Sequence, residues 1–403
     1  MQIQCTNGTP IVDTLDHLPP LPLFINYRSS SRTMLPEQDE SGIYHAIRLH
    51  DRVRHIELRL PPSILHKCLV LMDGPFPILE HLFLWSVADK FTTLTLPKAF
   101  LAPNLRHLEI PSISPPRRLR FLISSVSLVK LVLRNIQASS YFRPRLLVAR
   151  IGSLPQLEEL SIHFSAPIPR PSAEREMLGE QGTPITLPNL KILTFQGVSA
   201  YLESLVAQIR VPHLSQLIIT LFNQIAFALP HLSHFVNITL GLKSPAMKVF
   251  FHYNTVGITT HLHEHFFLCV RCDHLDWQID CAAQICAALI PTLSGIEHLT
   301  LDRFRQKLPT EWENGGIDAA TWHELFRSFI GVKELHIDNV LTEELSRVLH
   351  VDGVGSDPWF LPGLQDIVAE DNLFASFIDT RGVVGRPVRF MPPPPPPKPM
   401  TVD

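Results

Sequence analysis

One nine-residue phrase recurs along the chain: FPILEHLFL at 76–84, APNLRHLEI at 102–110, LPQLEELSI at 154–162, LPNLKILTF at 187–195 and VPHLSQLII at 211–219. Its template is Pro-x-Leu-x-x-Leu-x-apolar, and its first anchor falls at Val53, Leu79, Leu105, Leu128, Leu157, Leu190, Leu214, Ile296, Val332 and Leu364, mostly 23 to 36 residues apart. The last two apolar positions are two apart, as on one face of a strand, and the anchor lies three earlier, at a turn. A lone strand of this kind cannot bury its apolar side. Copies must therefore stack as a parallel sheet over one continuous core.

Between phrases the spacing turns helical. In Tyr201–Ile209 a stripe forms from Leu202, Leu205, Val206 and Ile209. Further helices are predicted at Pro62–Met72, Pro116–Ser124, Pro144–Ile151, Ala282–Leu289, Thr321–Phe329 and Thr342–Leu349, several opening on the Pro or Thr that suits a helix start. Strands with helical returns define an α/β leucine-rich-repeat solenoid, a curved parallel sheet over residues 21–390, and an elongated monomer. An ordinary α/β domain with coincidental leucines accounts poorly for so regular a period. Residues 1–20 are expected to be irregular, 165–186 an exposed insertion loop, and 391–403 a polyproline II tail outside the core. Between Leu229 and Thr292 the phrase blurs. Extended segments are expected at Phe235–Leu242, Met247–Tyr253, His263–Val270 and His274–Ile279, as repeats with degenerate anchors.

Composition narrows the functional classes. Lys plus Arg total 35 against 38 Asp plus Glu, so there is no basic surplus to neutralise phosphates, and nucleic acid is not the expected partner. The amino terminus lacks a basic start and an apolar block, and no apolar run suits a membrane span. Six cysteines in 403 residues make no disulfide framework; reduced thiols fit the cytoplasm or nucleus.

Leu21-Pro-Leu-Phe-Ile-Asn-Tyr27, Asp51-Arg-Val-Arg-His-Ile56, Tyr201-Leu-Glu-Ser-Leu205, Phe222-Asn-Gln224, Leu275-Asp-Trp-Gln278 and Gly385-Arg-Pro-Val388 together resemble the repeat region of the F-box protein family of mushroom-forming fungi. The resemblance runs from about Leu21 to Phe390. It implies a protein-binding module that selects substrates for an F-box-type, Skp–cullin ubiquitin ligase. The chain departs from the family in that no F-box precedes Leu21, so a Skp-type adaptor is expected only where that module is supplied. A free-standing scaffold without a ubiquitin role is the alternative.

No catalytic motif is present: there is no Gly-x-Ser-x-Gly elbow, phosphate loop or dinucleotide glycine pattern, and Gly353-Val-Gly355 reads as a plain loop. The expectation is a non-enzyme without cofactor, an enzyme assembled from dispersed residues being the less favoured reading. His261-Leu-His-Glu-His265 with Cys269, Cys272, Cys281 and Cys286 offers zinc-ligand types. Strand alternation turns Cys269 away from Cys272, however, and packed thiols with surface histidines are expected instead. The proline run at 392–397 suits aromatic grooves through Pro393, Pro396 and Lys398, or forms an inert tail.

The template also places residues on the concave sheet face. His55, His81, His107 and Lys130 form one row, Glu57, Phe83 and Glu109 the next, with Arg59, Trp85 and Arg134 just beyond. Exposed Trp and Arg are usual interface anchors. The expected partner is a protein docking here, with affinity changing between about pH 6 and 7 as the row titrates.

Overall fold

In a computed structural model of the chain, all ten anchors, from Val53 to Leu364, are buried. The structure describes residues 2–9, 15, 19–29, 35–87, 94–111, 113–167, 183–224, 226–239, 244–260, 265–272, 275–303, 319–349 and 361–393. The chain divides into two compact units, Met1–Leu217 and Ile218–Asp403.

In the first unit, β1 (Ile3–Thr6), β2 (Leu23–Arg28), β3 (Val53–Leu60), β4 (His81–Ser86), β5 (His107–Ile110), β6 (Lys130–Ile136) and β7 (Glu159–Phe164) lie side by side in chain order, each parallel to the next. A two-residue β8 (Ile185–Thr186) stands apart from this sheet, and β9 (Ile192–Gly197) pairs with β7. β10 (Ile209–Arg210) pairs with β8 alone, and β11 (Gln216–Leu221) follows it in the chain. The register aligns Ile56, Leu82, Leu108, Leu131, Leu160 and Leu193 as one buried column. This is the core that the phrase repeats to build: full burial stabilises each such side chain by about 1.5–3 kcal/mol. The backbone is stitched the same way, since the amides of Asn104 and Asn189, one position before their anchors, donate to the carbonyls of Pro77 and Pro155 one repeat earlier, at 2.6 and 2.8 Å.

The helical returns include Pro62–Leu71 and Pro144–Ile151, each with Pro in its first turn, where no backbone donor is lost. Two expected helices are shorter than their spacing. Leu119 has φ 47, a left-handed turn, so the helix expected from Pro116 covers only Phe121–Ser124. The stripe at Tyr201–Ile209 yields the helix Ser199–Val206, after which Ile209 leaves to pair with Ile185. The segment 1–20, expected to be irregular, contributes β1: Cys5 points into the core, and Ile3, Gln4, Cys5 and Thr6 pair with Leu23, Phe24, Ile25 and Asn26.

The second unit corrects the reading of 229–292. Phe235 and its neighbours belong to a helix, Pro230–Ile238, because Leu232, Phe235 and Val236 fall on one helical face. β12 (Ala246–His252), β13 (Thr255–Thr260) and β14 (Phe266–Arg271) form an antiparallel meander, not degenerate repeats. The stretch expected to resume strand spacing at His274–Ile279 is instead part of the helix Leu275–Ala288, with Gln278, Ile279, Ala282, Ala283 and Cys286 buried. Its Gln278 amide donates to the carbonyls of His252 and Cys272, at 2.9 Å each, and so fastens helix to meander. Gly257 is demanded by the crowding there: a Cβ would lie 2.3 Å from the Leu268 carbonyl. Parallel repeats then resume through β15 (His298–Arg303), β16 (Glu334–Ile337), β17 (Asp366–Val368) and β18 (Arg389–Met391), with β15 on β12.

No helix among the described residues is long and apolar enough to cross a membrane. Most of the insertion at 165–186, the glycines at 353–355, and the tail residues Pro396 and Lys398 lie outside the described residues. Pro393 is described and exposed.

Candidate binding face of the first unit

Each first-unit strand turns one set of side chains away from the core, and the parallel register decides which of them meet. His55 is opposite His81, and His81 is opposite His107, which is opposite Lys130. One strand further back, Phe24 faces His55. The rings form a continuous ribbon. Phe24 and His55 stack at 5.5 Å, His55 and His81 meet at 5.2 Å, and His81 and His107 stack at 4.3 Å with planes 8° apart.

The row ends in Lys130, whose ammonium bonds Glu109 at 2.8 Å and Glu159 at 3.2 Å. Burial works against that charge, but the two carboxylates outweigh it and raise the lysine's pKa. The histidines move the other way. Burial lowers all three below the ordinary value, helped by the neighbouring His81 for His55 and by His81, Arg106 and Lys130 for His107. For His81, Arg106 and Arg54 lower it while Glu80 opposes. The direction of these shifts moves the titration of the three histidines toward the acid side of the ordinary value, against a pH window of about 6 to 7 expected from the unperturbed imidazole. The Nδ1 of His107 is buried and makes no hydrogen bond.

In the second row Glu57 is opposite Phe83 and Phe83 is opposite Glu109. Glu57 bonds Arg28 at 2.8 Å and Arg59 at 3.3 Å. In the third, Arg59 is opposite Trp85. Its guanidinium lies 5.0 Å from the Phe83 ring centre and 5.4 Å from that of Trp85, within cation–π range of both. Trp85 remains 43% exposed. An indole held upright by an arginine, itself held by Glu57, is a rigid apolar knob that loses little side-chain freedom on contact.

Arg134 lies at an irregularity: the strand register shifts between Leu133 and Ile136 and Asn135 has φ 53, so a bulge begins at the position the template gives to Arg134, and the strand pairing does not itself set Arg134 beside Trp85. The template's two-residue alternation cannot foresee an inserted residue.

A further column escaped the sequence reading. The residue before each row-one position, Arg54, Glu80 and Arg106, lines a cleft of about 620 Å³ with Asn104, Ser127 and Gln156. The signal was available, since these are fixed positions of the phrase: the first x after the anchor and the x before it.

The cysteines carry no comparable chemistry. Cys269, Cys272, Cys281 and Cys286 are buried thiols not joined in disulfides, and no His, Cys, Asp or Glu cluster suited to a metal occurs among the described residues. His261, His263 and Glu264 lie outside those residues. Burial raises the thiols of Cys269 and Cys286, while a bond with Cys272 is the main cause for Cys281.

No protein-family model matches the chain, and no curated protein matches it. Among solved structures it is similar to a crystal structure of a TLR13–ssRNA13 complex, at 12% identity and a TM-score of 0.36. That match takes in 94% of this chain and 48% of the other, so the chain spans about half the length of the protein it resembles. The fold itself, parallel strands laid down in chain order with helical returns around a leucine column, is that of a leucine-rich-repeat protein.

Proposed function

We propose that the chain is a protein-binding repeat module, and that its partner docks on the sheet face of the first unit. The observation that carries this is the Arg59–Phe83–Trp85 cluster, an exposed indole braced by a cation–π contact and an ion pair on a surface flanked by polar rows. Desolvated Trp and Arg ringed by polar groups are the pattern of interface hot spots. The reading is of a binding module, with histidines stacked on one another along the sheet face.

The finer reading, supported by the sequence resemblance, is substrate recognition in an F-box-type, Skp–cullin ubiquitin ligase pathway of the cytoplasm or nucleus. The partner held on the sheet face is then the substrate. In that reading a Skp-type adaptor joins through an F-box. The experiment is affinity purification of tagged wild type beside a Phe83→Ala, Trp85→Ala double variant. Loss of the captured protein from the variant supports the face. Reduced ubiquitination of that protein when the chain is deleted supports the pathway, whereas unchanged ubiquitination identifies a free-standing scaffold.

A further inference from the structure

Among the described residues, the cleft at the strand starts holds one cation without a carboxylate partner. Arg54 bonds Glu80 at 2.8 Å, whereas Arg106 pairs with no carboxylate among the described residues, and the side chains of Ser127 and Gln156 make no hydrogen bond there. The surrounding charges balance one another, Glu57 being shared by Arg28 and Arg59, Glu80 held by Arg54, and Glu109 with Glu159 by Lys130, so the remaining charge is that of Arg106. The histidine row runs directly beside this cleft, Arg106 preceding His107 in the chain and acting on His81 as well.

We infer that the cleft and the histidine row together take an extended acidic segment of the protein partner, a run of Asp or Glu carboxylates laid from Arg54 to Lys130, and that protons are taken up as it binds. This rests on the partner-binding reading above. Four parallel strands at about 4.8 Å spacing make a track of about 14 Å, the length of four or five extended residues. In the free protein the surroundings of each imidazole disfavour its charged form. His55 faces His81 and Glu57; His81 faces Glu80, Arg54 and Arg106; His107 faces His81, Arg106, Lys130 and Glu109. The carboxylates in that set are already engaged by arginine or lysine. Carboxylates from a ligand supply the missing counter-charge, which favours the imidazolium form. Affinity therefore rises as pH falls.

The test is fluorescence anisotropy of a fluorescein-labelled deca-aspartate peptide with the full chain at about pH 7.5, 6.5 and 5.5, a range bracketing the histidine value. Binding is expected to tighten several-fold across that range. Arg106→Ala weakens it about two- to fivefold at each pH, the size expected for one exposed charge meeting a carboxylate. His81→Gln with His107→Gln flattens the pH dependence; should that variant not fold, the exposed Arg106 position still decides. Affinity that is independent of pH or weakens on acidification, or indifference to Arg106→Ala, overturns the inference. So does displacement of the peptide by polyuridylate at far lower concentration, which assigns the track to nucleic acid. Where the Phe83→Ala, Trp85→Ala variant loses a captured partner yet deca-aspartate fails, the inference alone falls; where no partner depends on that face, the reading beneath it falls.

Discussion

His81 and His107 stack on adjacent parallel strands with ring planes 8° apart and centres 4.3 Å apart. Two imidazolium rings at that separation repel, and both groups are lowered from the ordinary histidine range, chiefly by burial. Between about 6.5 and the lower folded values, the unfolded chain binds more protons than the folded one. Stability therefore declines as pH falls through that window and is unaffected by these groups above it. Melting temperatures recorded from about pH 7.5 to 5.5 should fall, and His81→Gln should reduce the slope. An unchanged slope in the variant would show that the row does not titrate as argued.

Leu108 and Leu190 are fully buried, one in the column shared by six strands and the other at an anchor turn. Leu108→Asp or Leu190→Asp places a carboxylate among leucines, at a cost of several kcal/mol. Each should abolish the cooperative thermal transition of the first unit. Melting like that of wild type would mean the repeat register is misassigned.

In the second unit the decisive crowding is at Gly257, where an added Cβ meets the Leu268 carbonyl at 2.3 Å and Cys269 at 2.8 Å. The obstruction is backbone and cannot swing away. Gly257→Ala should cost about 1–3 kcal/mol, as overpacking does. Equilibrium denaturation with no measurable change would place β13 and β14 further apart than described.

All six thiols are buried, and burial raises Cys5 to about 11 and Cys68 to about 12. The thiolate is the reactive form, so the folded protein should react very slowly with Ellman's reagent and release six equivalents on denaturation. Rapid labelling of several thiols in the native state would contradict the packing.

How far the sequence could be read depended on which residues carried the signal. The rows of the first unit were legible because a period of two, repeated in one template, fixes both the face and the register: once Leu82 and Leu108 are aligned, His81 and His107 must be neighbours. The meander was not, because an apolar alternation such as Met247, Val249, Phe251 carries no mark of strand direction. Short apolar runs are likewise ambiguous between helix and strand. Phe235-Val236 and Gln278-Ile279 are distinguished only by burial on one helical face. Within the candidate site, the bulge beside Arg134 left no mark in the two-residue alternation. Arg54 and Arg106 were passed over because turn-side positions do not belong to either strand face.

The most direct measurement is partner capture by the Phe83→Ala, Trp85→Ala double variant, because Trp85 is exposed, Phe83 lies on the sheet face away from the core, and neither fills the leucine column. The variant should melt within a few degrees of wild type, as surface substitutions do, while its affinity for the captured protein drops at least tenfold, the loss typical of a hot spot. A folded double variant that binds its partner as tightly as wild type would contradict the account and move the binding surface off this face.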